Sequence, residues 1–163
     1  MPKTVWRGNF IEALSDGRWE YVRRARDLSA AVIVAVTEAN ELVLVEQYRV
    51  PLGRRCLELP AGMIDDGEGA AQAAARELEE ETGFRAATMI EIGSFASSPG
   101  LTSESFTLFR ADGLTRGGGG GGTDGEDIAV EIVPVGELPR FIAAKRDAGV
   151  MIDVKLIAGL RLL

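Results

Sequence analysis

The stretch from Ala61 to Phe84, "AGMIDDGEGAAQAAARELEEETGF", constrains the fold of this chain more than any other feature. Its alanine-rich interior favours a helix from about Gly69 to Thr82. An apolar stripe at helical spacing predicts that this helix packs against a sheet. The members of the stripe are Ala71, Ala74, Ala75, Leu78 and Thr82.

The end of this predicted helix carries a cluster of acidic residues: Glu77, Glu79, Glu80 and Glu81. Carboxylates are unfavourable at a helix C-terminus, and like charges three or four residues apart repel one another. One interpretation is a solvated acidic face. The other is a site for a divalent cation, which turns repulsion into shared coordination. We favour the metal site because Glu77 and Glu81 border the apolar stripe instead of opposing it.

The chain has no histidine, which removes the commonest general base and the commonest transition-metal ligand. Cys56 is the only cysteine, so an intrachain disulfide and a cysteine–histidine nucleophile are both excluded. Hydrolytic chemistry would therefore come from carboxylates acting with hard cations such as Mg²⁺ or Mn²⁺.

Length and charge limit the remaining possibilities. The 163 residues suit one domain, spanning residues 1–163, with a hydrophobic core. A formal net charge of −7 argues against a nucleic-acid partner. No apolar run is long enough to span a membrane, and the N-terminus lacks an apolar signal region. With a single cysteine, these features predict a cytoplasmic protein.

Strand-like segments lie on both sides of the predicted helix. "SAAVIVAV" and "ELVLVEQYRV", joined by the turn "TEAN", are nearly continuous apolar runs, which predicts a hairpin covered on both faces. Further strands, a glycine tract expected to be mobile, and two terminal helices follow. The order of elements predicts an α/β (α+β) fold, in which helices cover the faces of a mixed sheet.

The spacing of the acidic cluster resembles the Nudix box of the Nudix hydrolases. Nine positions within residues 62–84 match that box. They are Gly62, Glu68, Arg76, Glu77, Leu78, Glu80, Glu81, Gly83 and Phe84. The resemblance implies an α/β/α sandwich with a mixed central sheet and a loop–helix–loop catalytic motif. "EQYR", "LELPAGMIDDGE", "SFASSPGLTSE" and "GEDI" further resemble ADP-ribose pyrophosphatases and related nucleotide-sugar hydrolases.

The resemblance also implies roles for the residues of the box. Glu77 and Glu81 would be the principal metal ligands, and Glu80 would contribute directly or through water. The backbone carbonyl of Ala61 would complete the shell, and two or three ions of Mg²⁺ or Mn²⁺ would act with bound substrate. Arg76 and Glu68 would brace the loop–helix–loop.

Outside the box, the acidic residues after the glycine tract are candidates for the catalytic base. Glu126 aligns with a loop metal ligand of the relatives, and Asp124 stands where those relatives often have glutamate. We favour Glu126 because the shorter aspartate has less reach, and the choice between them stays open.

The resemblance places Arg49 on the substrate's phosphates, with Arg23 and Arg24 as further candidates. Glu104 would hold the site together or contact the terminal ribose. The aromatic residues near the N-terminus, including Trp19, would stack on adenine or form interface core. The strands of residues 1–28 would contribute to a homodimer interface.

The predicted activity is metal-dependent hydrolysis of ADP-ribose to AMP and ribose 5-phosphate. Another nucleotide sugar or a dinucleotide, similar to GDP-mannose or NADH, is the alternative substrate. A Nudix module that senses nucleotides without cleaving them is the alternative from another class. The expected partner is thus a small nucleotide diphosphate, with neither a nucleic acid nor a membrane.

Overall fold

The computed structural model describes residues 1–26, 28–123 and 127–163. The strands are β1 (Lys3–Arg7), β2 (Ile11–Asp16), β3 (Trp19–Arg24), β4 (Ala30–Ala35), β5 (Glu41–Arg49), β6 (Arg54–Glu58), β7 (Ala61–Met63), β8 (Phe84–Ala96), β9 (Ser105–Arg116), β10 (Ile128–Pro134) and β11 (Met151–Ile152). The helices are α1 (Ala70–Thr82), α2 (Leu138–Asp147) and α3 (Val154–Gly159).

These strands form three sheets. The antiparallel N-terminal sheet has the order β1-β2-β3. The second has the order β7-β4-β9-β8, in which β4 and β9 run parallel, and the third has the order β10-β5-β6-β11, in which β6 and β11 run parallel. The second and third sheets are therefore mixed, as predicted.

The inner strand β4 divides the core into two layers. Ala31 and Ile33 pack in the cluster that contains Leu78 of α1, whereas Val32 packs with Leu156 of α3. Adjacent residues of a strand point to opposite faces, so a continuous apolar run must be covered on both sides. The helices supply that cover, which gives the predicted α/β/α layering.

The predicted hairpin between β4 and β5 is wrong. The two strands belong to different sheets, and only an isolated bridge between Val36 and Leu42 joins them. Each strand is buried and is paired along its length with other strands: β4 with β7 and β9, and β5 with β6 and β10. A short turn between two apolar runs does not by itself specify pairing between them.

Helix α1 agrees closely with its prediction but is rotated about its axis. Gly69 is its N-cap, and Gly83 ends it with a φ of 74°, in the left-handed region that favours glycine. Ala71 and Ala75, expected in the apolar stripe, are exposed, whereas Ala73 is fully buried in their place. This rotation also buries an acidic residue, as described below.

The N-terminal sheet leaves aromatic side chains in solvent. Trp6, Phe10 and Trp19 are 56%, 79% and 55% exposed. Glu12, in contrast, is buried and pairs with Arg7 and Arg23. In the described part of the chain, no helix is long and apolar enough to cross a membrane.

Candidate active site

The loop before α1 is held against the helix by one arginine. Arg76 donates through Nε and Nη2 to the two carboxylate oxygens of Glu68, at 3.0 and 2.9 Å, and through Nη2 to the carbonyl of Met63 at 3.0 Å. The hydrogen bonds from Arg76 hold the pKa of Glu68 below its usual range. The bracing role predicted for this pair is confirmed.

The same guanidinium also contacts the acidic cluster. Arg76 Nη1 donates to Glu77 Oε1 at 2.8 Å and to Glu80 Oε2 at 3.1 Å. Two of the predicted metal ligands thus lie around one positive nitrogen. Their carboxylates converge because positions 77 and 80 are one helical turn apart.

Gly62 makes room for Glu77. A Cβ on Gly62 would lie 1.9 Å from Glu77 Cδ and 2.0 Å from its Oε1. Any side chain at position 62 would displace the carboxylate of Glu77, which gives a physical reason for glycine at this position of the box.

Glu81 is the acidic residue that the rotation of α1 buries. It is 5% exposed, and one of its carboxylate oxygens, Oε2, accepts a hydrogen bond from the backbone N–H of Ala61 at 2.9 Å. The structure thus places Ala61 next to Glu81, and the contact is made by the N–H of Ala61. The role predicted for the carbonyl of Ala61, as a metal ligand, stays a prediction.

Glycines cover the C-terminal end of α1. The N–H groups of Gly117, Gly118, Gly121 and Gly122 donate to the backbone carbonyls of Gly83, Gly83, Glu81 and Glu80. Residues 117–123 contain no helix or strand, and glycines among them make defined hydrogen bonds with the acidic helix end. Asp124 and Glu126 lie outside the described residues.

The oxygen-rich donor set of this helix end fits a hard cation such as Mg²⁺ or Mn²⁺. Within the ranges that the structure describes, however, no three acidic or cysteine side chains converge on a common ion position. Arg76 Nη1 stands between Glu77 and Glu80. A dication bound by Glu77 and Glu80 would therefore have to take the place of the Arg76 guanidinium between them.

A cleft of about 760 Å³ opens beside this helix end, with Ala61 and Gly62 on its wall. Arg49 lines the cleft and is fixed by Glu58, which accepts from Nε and Nη2 at 2.7 Å each. The hydrogen bonds that Arg49 donates to the carboxylate of Glu58 raise the pKa of Arg49. Arg49 is thus a permanently charged group held in a defined orientation.

Two further predicted residues, Arg24 and Glu104, line the same cleft. They form an ion pair in which Arg24 Nε and Nη2 donate to one carboxylate oxygen at 2.9 and 2.6 Å. Both groups are charged and partly exposed to the cleft, which suits contact with a polar substrate.

Two other predicted substrate residues do not line this cleft. Arg23 donates to the buried Glu12 at 2.9 Å and borders a neighbouring depression. Trp19 lines a separate shallow depression with Tyr21 and Pro99. Both residues belong to β3 of the N-terminal sheet. The position of this sheet relative to the box was not evident in the sequence.

The cleft also has walls that the sequence reasoning missed. Glu58 fixes Arg49, and Lys155 lies 6.0 Å from the centre of the Phe106 ring and pairs with Asp153. The sequence did contain a signal for Glu58, because this residue lies in the "LELPAGMIDDGE" segment that resembles the pyrophosphatases. Lys155 and Phe106 had none, because only the tertiary fold brings them beside the box.

Cys56 also lines the cleft, but it is unreactive. Burial raises the pKa of its thiol to about 12, with a further contribution from Glu58. The thiol therefore stays protonated near neutral pH and cannot act as a nucleophile.

The fold, the box and the adjacent cleft define a member of the NUDIX family. The family model described as NUDIX domain matches residues 27–154, and the chain belongs to this family. Among its relatives, the ADP-ribose pyrophosphatase of Bacillus subtilis (strain 168) is 41% identical over 86 residues, covering 53% of this chain and 46% of that protein. The methanol dehydrogenase activator of Bacillus methanolicus is 38% identical over 135 residues, covering 82% of this chain and 72% of the activator.

A solved structure described as an ADP compounds hydrolase is also similar. It has a TM-score of 0.69 and 26% sequence identity, and the match covers 86% of this chain and 80% of that one. The predicted Nudix-type fold and the resemblance to ADP-ribose pyrophosphatases are thereby confirmed. The chain nevertheless spans only about half the length of the B. subtilis pyrophosphatase.

Proposed function

We propose that this chain hydrolyses a nucleoside diphosphate linked to a second group, and that ADP-ribose is its preferred substrate. The observation that carries the proposal is the wall formed by Ala61 and Gly62. These residues line the cleft on one side and contact Glu81 and Glu77 on the other. A substrate in the cleft would thus lie against the acidic end of α1.

Glu77, Glu80, Glu81, the carbonyl of Ala61 and Glu126 are the proposed ligands of two or three Mg²⁺ or Mn²⁺ ions. When bound, these ions neutralise phosphate charge and lower the pKa of water. Nudix relatives named as ADP-ribose pyrophosphatases support this substrate choice.

The chain's own residues bind, orient and accept a proton. Arg49 presents a planar guanidinium to the phosphates, with Arg24 as a further candidate for the same contact. Glu104 holds the site together or contacts the terminal ribose. A water oxygen attacks one phosphorus while the bridging P–O bond breaks, which yields AMP and ribose 5-phosphate. The proton of that water passes to a carboxylate oxygen of Glu126 or Asp124, with Glu80 helping to orient the water.

The N-terminal sheet is proposed to form a homodimer interface in a cytoplasmic protein. Its support is the exposure of Trp6, Phe10 and Trp19, which together present large apolar surface to solvent. In such a dimer, Trp19 would either stack on adenine or serve as interface core.

The test is release of nucleoside monophosphate, with Mg²⁺ or Mn²⁺ and with a chelator. AMP is measured for ADP-ribose and NADH, and GMP for GDP-mannose. We expect metal-dependent turnover that is highest for ADP-ribose. Equal turnover of several nucleotide sugars would contradict the specific substrate. Binding without cleavage of any compound would instead support the nucleotide-sensing alternative.

Two variants separate the candidate bases. Glu126→Gln is expected to lower kcat more than Asp124→Asn, because the longer side chain has the greater reach. The reverse order in steady-state assays would move the base or ligand role from Glu126 to Asp124.

A further inference from the structure

Gly83, the residue of the Nudix box that ends α1, is in contact with a second glycine segment. We call residues 117–122 the glycine tract, and we propose that Gly120 in this tract is a positioning residue for the metal-binding end of α1. The inference rests on the proposed function, because it assumes that Glu80 and Glu81 bind dications.

The hydrogen bonds between the tract and the helix end join backbone groups. The N–H of Gly121 donates to the carbonyl of Glu81 at 2.8 Å, and that of Gly122 donates to the carbonyl of Glu80 at 3.0 Å. The carbonyl of Gly83 accepts from two further glycines at 2.7 and 3.1 Å. The two proposed ligands thus have their own main-chain carbonyls bound by the tract.

These hydrogen bonds offset part of the negative charge that is crowded at the end of α1. The last four carbonyls of a helix lack partners within it and carry partial negative charge. The last turn of α1 contains no basic residue that could offset this charge. The N–H groups of the glycine tract supply positive dipole ends there instead, which makes the glutamates more tolerable.

The approach is so close that Gly120 of the tract and Gly83 at the end of α1 must both lack side chains. A Cβ on Gly120 would lie 2.4 Å from the carbonyl carbon of Thr82 and 2.7 Å from the nitrogen of Gly83. A Cβ on Gly83 would lie 2.4 Å from the carbonyl oxygen of Gly118. The atoms in the way are backbone, so a clash cannot be relieved by rotation of a side chain.

The neighbouring residue Gly119 does not share this constraint. Gly119 has open space around the position of a Cβ and no left-handed backbone conformation, whereas Gly120 has a φ of 67°. Gly119→Ala is therefore a matched control for Gly120→Ala, because it makes the same chemical change one residue away.

The experiment compares Gly120→Ala with Gly119→Ala by the Kd for Mn²⁺, measured by electron paramagnetic resonance without substrate. We expect Gly120→Ala to raise this Kd roughly 10- to 100-fold, as loss of support around metal ligands does. Gly119→Ala should stay within about twofold of the wild type. Equal Kd values for Gly120→Ala and the wild type would overturn the proposal.

Gly113→Ala controls for strain alone. Gly113 has a φ of 68°, and a Cβ there would lie 2.8 Å from the Cβ of Ala87 in the β8–β9 ladder. This variant should lose stability but keep its affinity for Mn²⁺. If it weakened Mn²⁺ binding as much as Gly120→Ala does, the effect would be general destabilisation and the positioning role would be wrong.

Hydrogen exchange of the wild-type protein tests the positioning role even if Gly120→Ala does not fold. Coupling is reciprocal, so saturating Mg²⁺ should slow hydrogen exchange at the amides of Gly121 and Gly122. Unchanged exchange in Mg²⁺-bound protein would overturn the proposal. Failure of the wild type to bind Mg²⁺ or Mn²⁺ at all would instead contradict the proposed function, and the proposal would fall with it.

Discussion

The guanidinium of Arg49 is clamped by the carboxylate of Glu58 through two parallel hydrogen bonds of 2.7 Å. Glu58 is buried, whereas Arg49 reaches the cleft, so the pair directs a fixed positive charge towards the proposed phosphate position. This geometry is specific to a planar fork and cannot be reproduced by a lysine.

We therefore expect Arg49→Ala to raise the KM for ADP-ribose, and Arg49→Lys to restore only part of the loss. Steady-state kinetics with both variants checks this. Arg54→Ala, on the same β5–β6 ladder but outside the residues that line the cleft, is the control. An unchanged KM in Arg49→Ala would identify Arg49 as an ordinary surface arginine.

Glu81→Gln is expected to remove most activity and to leave the fold intact. The amide oxygen of glutamine can still accept the hydrogen bond from Ala61 N–H, but the charge that a dication requires is lost. Glu79→Gln is the matched control, since Glu79 pairs with Arg85 in an exposed bridge. Turnover and circular dichroism measure the two effects. Near-normal turnover of Glu81→Gln would refute its assignment as a ligand.

Gly62→Ala is expected to displace the carboxylate of Glu77, because the new Cβ would lie 1.9 Å from Glu77 Cδ. The atom displaced is the end of a flexible side chain, so Tm should change little while Mn²⁺ binds more weakly. Calorimetry for unfolding and for Mn²⁺ binding tests both parts. Gly100→Ala, where a Cβ meets nothing, is the control. Unaltered Mn²⁺ affinity would show that Glu77 is not a metal ligand.

Glu68 gives a prediction for the pH dependence of stability. The hydrogen bonds from Arg76 lower its pKa in the folded state below the ordinary value of 4.5. The stabilisation is therefore complete above about pH 4.5 and is lost as the pH falls through the folded-state pKa. At pH 7, Glu68→Gln should lower Tm by roughly 2–4 °C, and this difference should disappear in acid.

Thermal unfolding of the wild type and Glu68→Gln between pH 7 and pH 3 measures this difference. Glu91→Gln, on an exposed position of β8, serves as the reference. A Tm difference that stays constant down to pH 3 would show that the Arg76 brace does not depend on the charge of Glu68.

Local sequence signals predicted the elements of the fold better than their pairing. The bounds of α1 follow from its alanine content and from Gly69 and Gly83, which act within one or two turns. The pairing of β4 was missed because its partners β7 and β9 are distant in sequence, and an apolar run does not identify its neighbour. The helix face was also misjudged, since Ala71 and Ala75 are as apolar as Ala73.

The sequence by itself determined the family, the helix that carries the glutamates and the brace between Glu68 and Arg76, because these depend on fixed spacing along one segment. Only the tertiary structure decided that Glu58 orients Arg49, that Lys155 and Phe106 join the cleft, and that the glycine tract covers the end of α1. Those relationships join residues far apart in the chain, and they arise from how separate elements pack.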